Sequence, residues 1–209
     1  VYDNLEWAFW FVVLAAVFDF FDGFAARLLH QSSPIGVQLD SLADMISFGF
    51  VPAAVVYTMT TRSMGEGDTL LRYAFAFICF AMAAFSALRL AKFNIDETQH
   101  EEFCGLPTPA NALFFTSLGL ISAHTGFDFG GPVLICIVPA MAWLLISPVR
   151  MFSLKFQGFG WRGNAIRYLF LALCVVTIVV LRLYSIPAIV ILYILISAIR
   201  WGLRRNSND

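Results

Sequence analysis

DFFDGFAARLLHQSSPIGVQLDSLAD, Asp19 to Asp44, sets four aspartates and an arginine inside a chain that is otherwise strongly apolar. An ionised aspartate at the middle of a membrane helix costs about 2.5–3.5 kcal/mol on insertion scales, so four in one stretch need partners. One Arg27 cannot neutralise four carboxylates, which sets aside a simple structural ion pair. Spacing is more telling. At about 100° per residue, Asp19, Asp22, Gly23, Ala26 and Arg27 share one arc of a helix, while Phe21 and Phe24 point elsewhere. Asp40 and Asp44 stand at i and i+4 on the next helix, and Ser47 continues their stripe. LLHQSSPIG (Leu28–Gly36) reads as a short turn between two antiparallel neighbours. Their acidic faces meet roughly 10–15 Å below the membrane surface, from the helical rise per residue.

The rest of the chain explains why a membrane is invoked. Of 209 residues, 60% are hydrophobic and only 13% are charged. The mean hydropathy is +0.79. A water-soluble domain of this size cannot hide so much apolar side chain, whereas a polytopic all-α membrane protein turns it toward lipid. A net charge of −1 with no basic patch excludes a nucleic-acid partner. Cys79, Cys104, Cys136 and Cys174 have neither metal-ligand nor redox spacing.

Seven apolar segments are predicted as membrane helices, at about 7–29, 39–60, 70–91, 108–124, 132–147, 165–183 and 186–201. The fifth is short and carries Pro139, which favours a kink or tilt. The last two, parted only by RLYSIP, form an antiparallel pair. Ten of the thirteen lysines and arginines follow the odd-numbered segments. By the positive-inside rule those loops are cytoplasmic, and VYDNLE at the start lies outside. An exterior start with no charged leader and no initiating Met leads to the expectation of one more helix before Val1, eight in the full-length protein. All 209 residues are read as one membrane domain, with the acidic hairpin at 7–60.

Four convergent carboxylates stay ionised together only if cations join them. Hard oxygen donors suit Mg²⁺, Mn²⁺ or Ca²⁺ rather than zinc. Gly23 and Ala26 leave space for a ligand between the acids, and Arg27, one turn closer to the cytoplasm, can hold a phosphate or a base edge. These parts describe a two-metal pyrophosphate site at the cytoplasmic membrane surface, which lipid substrates enter sideways.

Asp19-x2-Asp22-Gly23-x2-Ala26-Arg27-x8-Gly36-x3-Asp40-x3-Asp44 resembles the signature of the CDP-alcohol phosphatidyltransferase family at all eight defining positions. RLAKFN (Arg89–Asn94), GLPTPAN (Gly105–Asn111) and, more weakly, FSLKFQGFGW (Phe152–Trp161) resemble its bacterial and archaeal phosphatidylserine synthase branch. The resemblance implies transfer of a phosphatidyl group from CDP-diacylglycerol to L-serine with release of CMP. It implies that Asp19, Asp22, Asp40 and Asp44 hold two divalent ions, Mg²⁺ or Mn²⁺. Gly23, Ala26, Arg27 and Gly36 would then line the CDP pocket, and Asp44 would be the general base. It further implies a homodimer in the inner membrane, multi-pass, with its active site facing the cytoplasm. The family's helix before the signature, with its polar nucleotide-facing residues, has no counterpart here.

Serine needs a cation for its carboxylate, and Arg89, Lys92 and Asn94 at the end of the third segment fit, as do Arg150 and Lys155. Arg89 and Lys92 equally fit ordinary positive-inside anchoring, and Pro107 and Pro109 fit a helix start. Two alternatives stand beside serine transfer. A sister enzyme would use glycerol phosphate, inositol phosphate or another alcohol and needs a denser basic pocket. A cation transporter would place its acids near the bilayer centre on well-separated helices.

Overall fold

The computed structural model describes residues 4–29, 33–65, 69–95, 103–152, 160 and 164–206. Every apolar segment predicted from the sequence is helical, and only the boundaries move. Helix α1 (Leu5–Leu28) is followed by α2 (Pro34–Asp44), which begins earlier than expected. The reason is local. Ser33 caps it, with its Oγ accepting from the Gly36 amide at 3.0 Å, and Pro34 needs no amide partner in the first turn.

From α2 the chain runs without a break through a π-helical segment, Met45–Phe50, into α3 (Val51–Ser63). Pro52 accounts for the π segment, because its ring crowds the preceding turn and it has no amide to donate. The ladder widens there, and the Val51 amide reaches back five residues to the Ile46 carbonyl. A second rod comprises α4 (Thr69–Phe77), a 3₁₀ turn (Ile78–Phe80) and α5 (Ala81–Ile95).

Helix α6 (Thr108–Thr125) is the axis of the molecule. It packs on α1, α3 and α9 (Ser185–Asn206), and it is buried along most of its length. Pro107 and Pro109 flank its start, and Gly126, at φ 69°, closes it in the left-handed conformation. Gly119 lets α1 and α3 approach α6 closely. A Cβ there would lie 2.9 Å from Val55 Cγ1 and 3.4 Å from Leu5 Cβ. Helix α7 (Gly131–Ile146) runs through Pro139, and its Gly131 amide donates to Ser63 Oγ at 2.7 Å, joining it to α3.

A two-residue ladder, β1 (Phe103–Cys104) with β2 (Arg150–Met151), ties the approach to α6 to the exit of α7. Gly105 makes the closure possible. At φ 76° it is left-handed, and a Cβ would fall 2.2 Å from the Leu145 carbonyl oxygen. Helix α8 (Ala165–Leu181) turns through a 3₁₀ segment, Arg182–Tyr184, into α9, so the expected final pair is a helical hairpin.

Four stretches among the described residues are long and apolar enough to cross a membrane: Leu5–Ala26, Pro34–Ser63, Arg72–Ile95 and the α8–α9 hairpin at Ala165–Arg204. Gly131–Ile146 is a shorter apolar helix. The chain is thus an all-α, multi-pass membrane protein. Its outer faces agree. Among the described side chains of α1 only Leu5, Phe9 and Val12 are buried, while Trp7, Trp10, Phe11 and Phe18 are exposed to what would be lipid.

Candidate active site

The acidic hairpin is formed by the C-terminal halves of α1 and α2. Asp19 and Asp22, one turn apart on α1, meet Asp40 of α2, and their ligand oxygens all lie within 4.8 Å of one another. Three hard carboxylate donors at that separation fit a hard divalent cation and repel one another without one. Asp44 lies one turn deeper and is half-buried; it interacts electrostatically with Asp19, Asp40 and Asp22. The structure therefore brings three of the four acids into one tight group and sets the fourth beside it. Asp44 is also the last α-helical residue before the π segment, so the widened turn begins at that carboxylate.

A cleft of about 480 Å³ opens beside the acids, lined by Asp22, Gly23, Ala26, Ser33, Gly36, Val37, Leu39, Asp40 and Ala43. Two glycines in it have different reasons. A Cβ on Gly36 would sit 3.0 Å from Ser33 Oγ, so this glycine protects the helix cap. A Cβ on Gly23 would meet no atom within 4 Å, so the missing side chain keeps the cleft open rather than permitting packing. Arg27 lies on α1 one turn beyond Gly23, and its side chain is not among those described.

The five acceptor candidates separate. Arg89, on α5, is buried to 9% exposure and interacts with both Asp44 and Tyr193. Its Nε has no hydrogen-bond partner among the described residues. It shares a small pocket of about 40 Å³ with Lys92, Phe93, Cys104, Leu145 and Ile146. Lys92 itself is exposed. Asn94 donates from Nδ2 to Ser41 Oγ at 2.8 Å, so its amide links α5 to α2. Arg150 is exposed on β2, opposite Cys104. Lys155 lies outside the described residues, with most of the Phe152–Trp161 stretch.

Thr108 and Asn111, inside the GLPTPAN stretch, and Ser86 were given no site role from the sequence. Thr108 Oγ1, both amide atoms of Asn111 and Ser86 Oγ are buried without a partner among the described residues. The signal was a polar residue recurring at i and i+3 in an otherwise apolar helix, Thr108 and Asn111 on α6.

A membrane hairpin that presents clustered carboxylates to a cleft with a glycine floor can hold a divalent cation with a phosphate beside the bilayer. Residues 1–147 match the CDP-alcohol phosphatidyltransferase family, and the chain belongs to it. Its relatives include the CDP-diacylglycerol–serine O-phosphatidyltransferase of Bacillus subtilis, 30% identical over 72% of this chain and 77% of the relative. The enzyme of the same name from Helicobacter pylori strain 26695 is 28% identical over 93% of this chain and 79% of its own length. That of Mycobacterium tuberculosis strain H37Rv is 35% identical over 67% of this chain and 49% of its own length.

Proposed function

We propose that the protein transfers the phosphatidyl group of CDP-diacylglycerol to the hydroxyl of L-serine, giving phosphatidylserine and CMP. The observation that carries this reading is the cluster of Asp19, Asp22 and Asp40 carboxylates, of which Asp22 and Asp40 line the cleft. The names of the relatives support serine as the acceptor. A transporter reading is disfavoured, because the acids stand on adjacent helices of one hairpin near its turn.

In this reading Gly23, Ala26, Arg27 and Gly36 accommodate the CDP moiety, and the acyl chains remain in the bilayer beside the exposed face of α1. Asp44 accepts the proton of the serine hydroxyl as its oxygen attacks the phosphorus bearing diacylglycerol. A new phosphorus–oxygen bond to serine forms, and the bond from that phosphorus to CMP breaks. Asp19, Asp22, Asp40 and Asp44 would hold two divalent ions, Mg²⁺ or Mn²⁺, which neutralise the pyrophosphate charge. Arg89 faces the acceptor's carboxylate, and its burial strengthens that attraction over one in water. Arg150 and Lys155 attract anions at the membrane surface.

Seven crossings, a cytoplasmic active site in the inner membrane and a homodimer complete the proposal. The distribution of lysine and arginine supports the orientation. The test is to reconstitute the full-length protein in lipid nanodiscs with CDP-diacylglycerol, labelled serine and Mg²⁺ or Mn²⁺. Serine-dependent CMP release with labelled phosphatidylserine is expected. CMP release only with glycerol phosphate or inositol phosphate would transfer the assignment to a sister enzyme.

A further inference from the structure

Helix registers show where the partnerless polar groups of α5 and α6 stand relative to Asp44. Helices α1 and α6 are antiparallel, with Leu5 against Gly119 and Val12 clustered with Ala112. Seven residues forward on one match seven back on the other, so Ala16 is level with Thr108. The α2–π segment and α5 are also antiparallel. Asn94 bonds to Ser41, and a Cβ on Gly49 would lie 3.0 Å from Ser86 Cβ. Eight residues forward again match eight back, which puts Arg89 level with Ile46. Phe48 clusters with Ala112, and its helix runs parallel to α6, so Asp44 is level with Thr108 and Ile46 with Ala110. Thr108, Arg89 and Asn111 therefore occupy one layer, from the height of Asp44 to about 5 Å, one helical turn, beneath it.

The groups in this layer are buried and under-used. Thr108 is 1% exposed and Asn111 is 0% exposed. Thr108 Oγ1, Asn111 Oδ1 and Nδ2, and Arg89 Nε have no partner among the described residues. Buried polar groups are nearly always hydrogen-bonded, and in a membrane no bulk solvent supplies what the protein omits. Thr108 and Asn111 stand one turn apart on α6, and α5, which carries Arg89, packs on the same π segment as α6. Three side chains left open at one level around that segment mark a place where a polar ligand completes the bonding. Tyr193, which also interacts with Arg89, is already engaged, with its hydroxyl donating to the Phe152 carbonyl at 3.0 Å.

The open set has a definite chemistry. It offers one fixed positive charge, one amide able both to donate and to accept, and one hydroxyl that can do either. A phosphorylated alcohol would want a second cation. A zwitterion wants this combination. We propose that Asn111 and Thr108 form, with Arg89, the acceptor pocket that reads the α-ammonium and α-carboxylate of an amino-acid alcohol. Asn111 Nδ2 and Arg89 donate to the carboxylate, while Asn111 Oδ1 and Thr108 Oγ1 accept from the ammonium. The hydroxyl end then points up the layer toward Asp44. This assignment rests on the phosphatidyl-transfer reading and adds the residues that select the acceptor.

Asn111→Leu and Thr108→Val test it, because each replaces a partnerless polar group with an apolar one of similar size. Both variants should fold with an unchanged or raised Tm, since each removes a buried polar group without a partner. In nanodiscs with CDP-diacylglycerol, the KM for serine should rise about ten- to a hundredfold, while the KM for CDP-diacylglycerol stays within about twofold. The preference for serine over ethanolamine, which lacks the carboxylate, should shrink in Asn111→Leu. A serine KM within about twofold of wild type in both variants would overturn the proposal and leave these groups to buried water. A fall in Tm with both KM values raised would overturn it too, by assigning a structural role. If the wild-type protein releases CMP with no serine dependence, the underlying reading fails instead, and the two failures are thereby distinct.

Discussion

Replacing Gly23 should move stability and activity in opposite directions. It lies inside α1, where glycine is a poor helix former, and a Cβ there meets no atom within 4 Å. Gly23→Ala should therefore stabilise the helix by about 0.5–1 kcal/mol, the propensity difference between the two residues. Gly23→Leu should give nearly the same gain, because leucine is almost as good a helix former and the added side chain enters open space. That space is the cleft of about 480 Å³ shared with Ala26, Gly36 and Asp40. A leucine side chain would occupy the floor beside Asp22, where the CDP moiety is proposed to lie. The expected outcome is a raised Tm in nanodiscs for both variants. CMP release should be weakened in Gly23→Ala and nearly abolished in Gly23→Leu, chiefly through the KM for CDP-diacylglycerol. Wild-type affinity for CDP-diacylglycerol in the leucine variant would refute the placement of the nucleotide. A lowered Tm would refute the claim that the glycine is there for a ligand rather than for packing.

Other consequences are equally open to measurement. Asp44→Asn removes the proposed proton acceptor while preserving shape; turnover should fall at least about a hundredfold, with Tm little changed, and near-normal turnover would end the general-base assignment. Chelation with EDTA should abolish CMP release, and Mg²⁺ or Mn²⁺ should restore it; full activity in chelator would rule out ions on the aspartates. Gly105→Ala has no site role but must force a side chain into the left-handed region and against the Leu145 carbonyl, 2.2 Å from the new Cβ. It should lower stability by at least about 2 kcal/mol, read as a fall in Tm, and an unchanged Tm would contradict the tight β1–α7 closure.

Much of this was legible because it is local. Aspartates at i, i+3 and i, i+4 share a helix face whatever the helix packs on, so the Asp19–Asp44 stretch announced a convergent acidic site. Ser33 and Pro34 also carried a helix start, although the turn was read as reaching Gly36. Long apolar runs become helices in lipid because each must satisfy its own backbone, and this made the all-α class readable.

What the sequence could not resolve was which apolar face meets protein and which meets lipid. On α1, Leu5, Phe9 and Val12 are buried while Trp7, Trp10 and Phe11 are exposed, yet all six are similarly apolar. Hydrophobic periodicity therefore loses its contrast in a membrane. The same blindness applied to the cations and polar groups. Arg89 and Lys92 are three residues apart and looked equivalent, but packing of α5 against α2, the π segment and α7 buries one and leaves the other outside. Asn94 became a tie to Ser41, and Thr108 and Asn111 acquired meaning only once α6 proved to be the buried axis. The sequence by itself determined the acidic hairpin and the membrane class, because both depend on neighbours in the chain. Tertiary structure alone decided that three acids close together with Asp44 set deeper, and that a partnerless polar layer lies beside it. Those features arise from registers between helices far apart in sequence, which no local pattern encodes.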